Sequence, residues 1–282
     1  MTARGSRVTA GGIWAQEVGT GPLVALVHGA MDRSGGMLRV RRLLQPSCRV
    51  LRYDRRGYAR SRPAGPPVSF DQQVDDLVEL LEGRPAVVAG HSFGGLVALA
   101  LAERRPDLVA AVVAFEAPTM WEPWWPGSSA GSRAVAAGDA EEAAEGFLRR
   151  VIGDEMWERL PAAMRAERRA EGVTLLAEMR SVRPPQPPPF DAGAVAVPVI
   201  AGVGSRTGRH HRRAVERLAR DAPRGELRVV EGAGHDCHLT HPAELADLVR
   251  LALARSGRAP AASDADGHDG GCGPVERREG AG

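Results

Sequence analysis

Short apolar segments that end at turn residues alternate along this chain with longer segments of helical periodicity. The apolar segments predict seven strands, at residues 13–18, 23–27, 49–53, 86–89, 109–115, 197–203 and 227–230. The longer segments predict five helices, at residues 37–44, 70–81, 93–103, 209–220 and 243–254. This alternation is typical of an α/β protein whose mostly parallel sheet carries helices on both faces. The first two strands have no helix between them, and we expect them to pair as an antiparallel hairpin.

The alternation stops between residues 115 and 197. Ala, Arg and Glu at helical spacing fill this stretch up to a proline-rich segment at residues 184–189, which cannot be helical and is expected to return to the sheet as a stiff extended chain. We therefore predict a core at residues 1–116 and 191–255 with a helical lid inserted at residues 117–190. Residues 256–282 carry almost no large apolar side chain and are expected to form a disordered tail.

The charge balance argues against a polyanionic partner. All 37 basic residues are Arg, but 35 carboxylates accompany them, so the net charge is only +2. We expect no nucleic-acid partner. The chain of 282 residues is long enough to bury a sizeable core.

Cysteine usage and the amino-terminal segment favour a cytoplasmic protein. Cys48, Cys237 and Cys272 are odd in number and unrelated in spacing, which fits neither a disulfide framework nor a zinc motif. Residues 1–12 contain no apolar stretch of signal-peptide length, and no run approaches the length of a membrane span. We expect a monomer or homodimer that does not bind a membrane.

The strongest chemical signal is the segment Gly90-His91-Ser92-Phe93-Gly94. It matches G-x-S-x-G between a predicted strand and a predicted helix, where a nucleophilic serine occupies a sharp, strained turn and small neighbours avoid the backbone. Ser92 is the candidate nucleophile. The Phe93 N–H, at the start of the helix, is a candidate donor to developing negative charge.

A second donor is expected in the loop His28-Gly29-Ala30-Met31, which follows the second predicted strand. The backbone N–H of Ala30, together with that of Phe93, would complete an oxyanion hole. We expect the His28 side chain to have a structural role, because this position needs the backbone rather than an imidazole.

The candidate general base is His235, in the loop after the last predicted strand. Gly232 and Gly234 give this loop the freedom to bring the imidazole over Ser92. His238 and His241 lie close by and are alternatives. Cys237 is disfavoured as a nucleophile.

A triad also needs a carboxylate that fixes the imidazole tautomer. The loop at residues 204–208 offers none, whereas Glu116 directly follows the strand at 109–115. A right-handed crossover places this strand beside the one that precedes Ser92, so Glu116 is expected at the same edge of the sheet. Asp191, Asp32 and a dyad without a carboxylate are the alternatives.

With these residues, the chain resembles the α/β-hydrolase superfamily over roughly residues 10–254. The order Ser92, Glu116, His235 agrees with that family, and the turn at residues 53–61 is similar to its Asp-Arg-Gly turn, in which Asp54 would anchor a loop. The position of Glu116 is similar to that in haloalkane dehalogenases. Those enzymes and the related epoxide hydrolases use an Asp nucleophile, so Ser92 argues against both chemistries.

Large apolar residues of the predicted lid are candidates for a substrate pocket, although they could equally pack the lid onto the core. The candidates from the lid are Met120, Trp121, Trp124, Trp125 and Trp157. Met31, in the loop after the second predicted strand, is a further candidate. We expect a hydrophobic small-molecule substrate. His210-His211 could suggest a metal or phosphate site, but adjacent helical histidines point apart and no acidic partner is near, so no metal is expected. A serine hydrolase of this type also requires no cofactor.

The sequence predicts a serine hydrolase that cleaves ester-type bonds through an acyl-enzyme. Alternatives on the same triad are biosynthetic thioesterases, acyltransferases, C–C hydrolases and cofactor-free haloperoxidase-like enzymes. A non-catalytic ligand binder is disfavoured, because it has no physical need for Ser92, Glu116 and His235 together.

Overall fold

A computed structural model describes residues 5–257 of the chain. Its sheet contains the strands β1 Ser6–Val8, β2 Trp14–Val18, β3 Leu23–Val27, β4 Arg49–Tyr53, β5 Ala86–His91, β6 Val109–Phe115, β7 Val199–Gly204 and β8 Gly225–Val230. Their order in space is β1-β2-β4-β3-β5-β6-β7-β8. The pairs β1–β2 and β2–β4 are antiparallel, and all pairs from β4 to β8 are parallel.

Six helices belong to the core around this sheet: α1 Leu38–Leu44, α2 Phe70–Leu81, α3 Phe93–Arg104, α9 Arg209–Asp221, α10 Cys237–Thr240 and α11 Pro242–Arg255. Five more lie between β6 and β7: α4 Ala130–Ala137, α5 Ala140–Ile152, α6 Asp154–Arg159, α7 Ala162–Ala170 and α8 Gly172–Ser181. We call residues 117–190, which contain these five helices, the insertion.

Each face of the sheet is covered by helices, as the alternation of strands and helices predicts. All five residues of β3 are buried. Ala25 and Val27 pack into the cluster that contains α2, α3 and the insertion, whereas Val24 and Leu26 pack into the cluster that contains α1 and α11. Parallel strands that are buried on both faces read as continuous apolar runs. The carboxyl ends of these strands therefore form the open edge at which a site can be built.

The predicted hairpin between the first two strands is wrong. β2 and β3 do not pair, because β4 lies between them, with Val50 facing Val18 on one side and Val24 on the other. β4 has apolar residues on both of its faces and gains two hydrogen-bonded neighbours in this position. The amino-terminal strand β1, which is not predicted from the sequence, extends the antiparallel edge.

The prediction of an extended return from the insertion is wrong at the start of the proline-rich segment. Gln186 is the one residue among positions 184–189 that has a backbone N–H, and it donates this hydrogen to the carbonyl oxygen of Arg183 (2.9 Å). This bond closes a turn at the start of the proline-rich segment.

The predicted tail, residues 256–282, lies outside the described residues from position 258 onward. Over residues 5–257, no helix has both the length and the apolar character required to cross a membrane.

Candidate active site

Ser92 occupies a strained turn between β5 and α3. Its backbone has φ 51° and ψ −121°, and α3 begins at the next residue. Among the described residues, five that are not glycine have a positive φ, and three of them are Met31, Ser92 and Glu116. Such conformations cost on the order of 1–3 kcal/mol each and are typical of functional sites.

The glycines beside Ser92 are required by close backbone packing. A Cβ at Gly90 would overlap the carbonyl group of Gly94, and a Cβ at Gly94 would overlap the carbonyl oxygens of Val27 and His28. Both positions therefore exclude any larger residue, which accounts for the small residues of the G-x-S-x-G segment.

Glu116 lies at the carboxyl end of β6 and is fully buried. Its Oε1 accepts hydrogen bonds from the Gly204 N–H (2.9 Å), at the end of β7, and from the Thr207 hydroxyl, in the loop that follows. Its Oε2 lies 2.7 Å from His235 Nδ1. The loop at 204–208, which has no carboxylate of its own, thus holds the carboxylate of the neighbouring strand.

The contact with Glu116 defines the chemistry of the His235 ring. A carboxylate only accepts hydrogen bonds, so Nδ1 carries the proton and Nε2 is left as the basic nitrogen. The His235 side chain is one-third exposed, and its carbonyl oxygen accepts a hydrogen bond from His91 Nε2 (2.6 Å). The rings of His91 and His235 are 4.7 Å apart. Because Ser92 follows His91, the structure brings Ser92, Glu116 and His235 to one edge of the sheet.

The loop that carries Ala30 runs beside Ser92. A Cβ at Gly29 would lie 3.2 Å from Ser92 Cβ, so the backbone of this loop passes next to the serine. Phe93 is the first residue of α3, where backbone N–H groups have no partner within the helix. Phe93 and the loop that carries Ala30 are therefore both next to Ser92, and they belong to separate elements.

The His28 side chain stabilises the loop that carries Ala30 through two hydrogen bonds. Its Nε2 accepts a hydrogen bond from the Arg55 N–H (2.8 Å), and its Nδ1 donates to the Gly29 carbonyl oxygen (2.8 Å). Complete burial lowers the pKa of His28 to about 4, so the ring stays neutral. This arrangement agrees with the structural role expected from the sequence.

Asp54 also has the anchoring role expected of it. Its carboxylate is fully buried and accepts hydrogen bonds from the Ser34 N–H (2.9 Å) and from Arg60 Nε (2.7 Å). Asp54 thus joins the turn after β4 to the loop after β3.

Arg55 connects the Ala30 loop to the insertion. Its guanidinium donates to the carbonyl oxygens of His28 (2.8 Å) and Gly29 (2.9 Å) and forms an ion pair with Glu178 of α8. Glu178 Oε2 also accepts a hydrogen bond from the Tyr58 hydroxyl (2.7 Å). Arg55 and Glu178 are almost completely buried. A buried guanidinium needs this carboxylate, because Arg does not lose its charge inside a protein.

Replacing Glu178 with Ala is expected to lower the free energy of unfolding by about 3–5 kcal/mol, since Arg55 would remain charged and buried without its partner. Urea denaturation measures this loss. The matched control is Glu167→Ala, which removes another insertion glutamate paired with a core arginine, Arg33, but one that is 42% exposed. Such a pair contributes at most about 1 kcal/mol. Equal losses in the two variants would contradict this account of Arg55.

The alternative acids and bases have other partners. Asp191 accepts a hydrogen bond from the Gly193 N–H (2.9 Å) at an exposed turn, and Asp32 pairs with buried His238. His241 contacts the Thr240 hydroxyl. Burial raises the pKa of the Cys237 thiol to about 12, which leaves it a poor nucleophile.

Two of the candidate pocket tryptophans lie near α9. The Trp125 ring contacts the rings of His210 and His211 edge to face, with centroids 4.8 and 5.1 Å away. The His211 ring in turn lies 4.6 Å from the His235 ring. The guanidinium carbon of Arg213 lies over the Trp124 ring, 4.3 Å from the ring centroid. Trp125 thus reaches His235 through one intervening ring.

The other candidates lie farther away or pack the protein. Trp121 lines a surface depression of about 700 Å³ together with Phe190 and Asp191, and none of Ser92, Glu116 and His235 lines it. Trp157 is completely buried, with the guanidinium groups of Arg149 and Arg169 over its ring at 5.9 and 5.6 Å. The interpretation of Trp157 as a pocket residue is therefore not supported, because it packs the insertion.

The two methionine candidates are also buried. Met31 is 3% exposed, and its carbonyl oxygen accepts a hydrogen bond from Arg168 of α7 (3.2 Å). Met120 is 8% exposed and its sulfur lies 3.9 Å from the Arg183 guanidinium. Met31 thus contacts the insertion, whereas Met120 belongs to the insertion and contacts another part of it.

Sequence reasoning missed Thr207 and His91 at this edge, and it considered His211 only as a possible metal ligand. Thr207 stands in the loop that lacks a carboxylate, and its hydroxyl is the one signal that could have indicated a partner for Glu116. His91 and His211 come close to His235 only through the fold. Burial lowers the pKa of His211 well below its ordinary value, so this ring is neutral beside His235.

Comparison with solved structures places this fold among known hydrolases. An esterase from Thermogutta terrifontis superposes with a TM-score of 0.68 at 22% identity, over 90% of this chain and 98% of the esterase. An enol-lactonase from Burkholderia xenovorans LB400 superposes with a TM-score of 0.67 at 22% identity, over 86% of this chain and 96% of the lactonase. At this level of identity, the likeness extends to the fold alone.

A lipase has a higher sequence identity to this chain than these structures do, but over a shorter stretch. Lipase LipV of Mycobacterium tuberculosis is 40% identical over 93 residues, which make up 32% of this chain and 35% of the lipase. The matched stretch thus spans about a third of that relative's length. The sequence profile of the alpha/beta hydrolase family matches residues 24–248, from β3 into α11. The chain therefore belongs to the alpha/beta hydrolase family.

Proposed function

We propose that this protein hydrolyses an ester-type bond of a hydrophobic small molecule, with Ser92 as nucleophile, His235 as general base and Glu116 as the acid of the triad. The observation that carries this proposal is the 2.7 Å contact between Glu116 Oε2 and His235 Nδ1 at the edge of the sheet where Ser92 occupies its strained turn. A buried carboxylate on Nδ1 leaves Nε2 able to accept a proton.

The first half of the reaction forms an acyl-enzyme. His235 Nε2 takes the proton of Ser92 as Oγ attacks the carbonyl carbon, and the C=O electron pair moves to the oxygen. The N–H groups of Ala30 and Phe93 donate hydrogen bonds to this oxyanion. The negative charge of Glu116 stabilises the imidazolium. When the tetrahedral intermediate collapses, the C–O bond breaks and His235 returns its proton to the leaving alkoxide.

The second half releases the acid. His235 Nε2 takes a proton from water, whose oxygen attacks the acyl carbon of the Ser92 ester. The second tetrahedral intermediate collapses with cleavage of the bond to Ser92 Oγ, which regains its proton from His235. The products are an alcohol and a carboxylic acid, and no redox step or cofactor enters this scheme.

The tryptophans of the insertion favour an apolar substrate. The insertion carries four of the five tryptophans, and Trp125 approaches the site through His211. We propose that the insertion acts as a lid and that Trp125 faces the apolar part of the substrate. The partial match to a lipase fits this class of substrate, although it covers about a third of each chain.

A series of p-nitrophenyl esters from acetate to decanoate tests the proposal. We expect kcat/KM to rise with acyl length up to the capacity of the pocket, by up to about fourfold per methylene, which corresponds to about 0.8 kcal/mol of buried CH₂. Hydrolysis no faster than in buffer across the whole series would contradict the proposal. A Trp125→Ala variant should flatten the dependence on acyl length, whereas Trp121→Ala should retain it.

A further inference from the structure

Three side chains from three different elements converge behind the candidate triad. Asp32 follows β3, His91 ends β5, and His238 belongs to α10. One potential ligand atom from each residue lies within 4.8 Å of the other two. The His91 and His238 rings are 4.3 Å apart, and both residues are more than nine-tenths buried.

His91 presents an unprotonated nitrogen to this cluster. Its Nε2 donates a hydrogen bond to the His235 carbonyl oxygen (2.6 Å), and a carbonyl oxygen can only accept, so the ring proton is on Nε2. Burial lowers the pKa of His91 well below its ordinary value, which keeps the ring neutral. Nδ1 therefore has a free lone pair, and it is buried without a hydrogen-bond partner.

His238 and Asp32 are close without being aligned for a hydrogen bond. His238 Nε2 lies 3.2 Å from Asp32 Oδ2, yet both atoms, as well as His238 Nδ1, are buried without a partner of hydrogen-bonding geometry. Buried polar atoms left in this state cost about 1–3 kcal/mol each.

We propose that Asp32, His91 and His238 bind a divalent first-row transition metal ion, of which Zn²⁺ is the simplest probe. Two imidazoles and one carboxylate are ligands that suit this class of ion. Ligands at about 2.0–2.2 Å from a tetrahedral ion lie about 3.4 Å apart, so the three ligand atoms, which lie within 4.8 Å of one another, would move closer together on binding. The hydrogen bond from His91 to a carbonyl oxygen orients the ring as is usual for a histidine ligand.

The ion would have access to the cluster from solvent, and it would stabilise the segments around the candidate active site. The Asp32 side chain is 23% exposed, which provides a path from solvent and a position for a water ligand. The three ligands belong to the loop that carries Ala30, to the strand that leads into Ser92, and to the helix after His235. A bound ion would thus join the three segments of the candidate active site and stabilise their arrangement.

A second group of potential ligands, formed by Glu116, His211 and His235, lies nearby. It is the weaker candidate, because Glu116 Oε1 already accepts two hydrogen bonds and Oε2 contacts His235 Nδ1. His211 belongs only to this second group, so it provides a control that separates the two.

The test uses the full chain without an affinity tag, stripped with EDTA and titrated with ZnCl₂ by calorimetry. We expect one Zn²⁺ per chain, and a rise in Tm of about 5 °C or more at a free Zn²⁺ concentration 100 times Kd. Asp32→Asn, which keeps the side-chain shape, and His238→Gln should each raise Kd at least about tenfold and remove most of the Tm shift. His211→Gln should bind Zn²⁺ as the wild type does.

Anomalous diffraction at the zinc edge, from wild-type crystals soaked in ZnCl₂, gives a result that does not depend on any variant folding. An anomalous peak bonded to Asp32, His91 and His238 supports the proposal. A peak at Glu116 and His235, no stoichiometric binding, or unchanged affinity in both Asp32→Asn and His238→Gln would overturn it. Loss of binding in His211→Gln would likewise assign the ion to the second group.

Discussion

Ser92→Ala is expected to lower kcat for ester hydrolysis by about 10⁶-fold, because removing the nucleophile of a triad eliminates the acyl-enzyme route. The fold should be unaffected, since the strained backbone at Ser92 also accepts the small Ala side chain. Initial rates with a p-nitrophenyl ester, together with thermal melting, measure both properties.

Ser256→Ala, at the end of α11, is the matched control and should remain within a fewfold of the wild type. A folded Ser92→Ala protein that keeps more than about 1% of wild-type kcat, a loss below 10²-fold, would show that ester cleavage does not proceed through this serine.

Glu116→Gln is expected to reduce kcat by about 10²–10⁴-fold. The amide cannot stabilise the imidazolium, and its NH₂ group can donate to His235 Nδ1, which would move the ring proton to Nε2 and remove the base. The analogous change in a serine protease lowers kcat about 10⁴-fold. The loss should appear in kcat more than in KM, because Glu116 acts on the transition state through His235.

The control for this variant is Asp191→Asn, since Asp191 is one of the alternative acids that the sequence offers. Its carboxylate caps an exposed turn, so we expect a change within a fewfold. An inactive Asp191→Asn protein beside a folded, active Glu116→Gln protein would assign the acid to Asp191 and contradict the triad.

The turn at Ser92 and the position of Glu116 can be predicted from the sequence, because they depend on neighbouring residues and on the connection between adjacent strands. The turn at Ser92 depends on Gly90 and Gly94, which stand beside it in the chain and allow the backbone to pass closely. Glu116 can be predicted by combining the direction of the β5–α3–β6 crossover with the lack of a carboxylate at residues 204–208.

The parts that sequence reasoning missed depend on contacts between distant segments. The position of β4 between β2 and β3 follows from strand pairing across the sheet, which the short link between β2 and β3 does not reveal. The burial of Trp157 depends on how the helices of the insertion pack. The grouping of Asp32, His91 and His238 appears only when three separate elements meet at one edge.

Covalent labelling tests the central claim most directly. A fluorophosphonate reacts with a serine hydroxyl only when a neighbouring base activates it, and peptide mass spectrometry locates the adduct. We predict one adduct per chain, on Ser92, and no adduct in Ser92→Ala. An adduct that persists in Ser92→Ala, one that maps to Cys237, or no labelling of the folded wild type would contradict the assignment of Ser92 as the nucleophile.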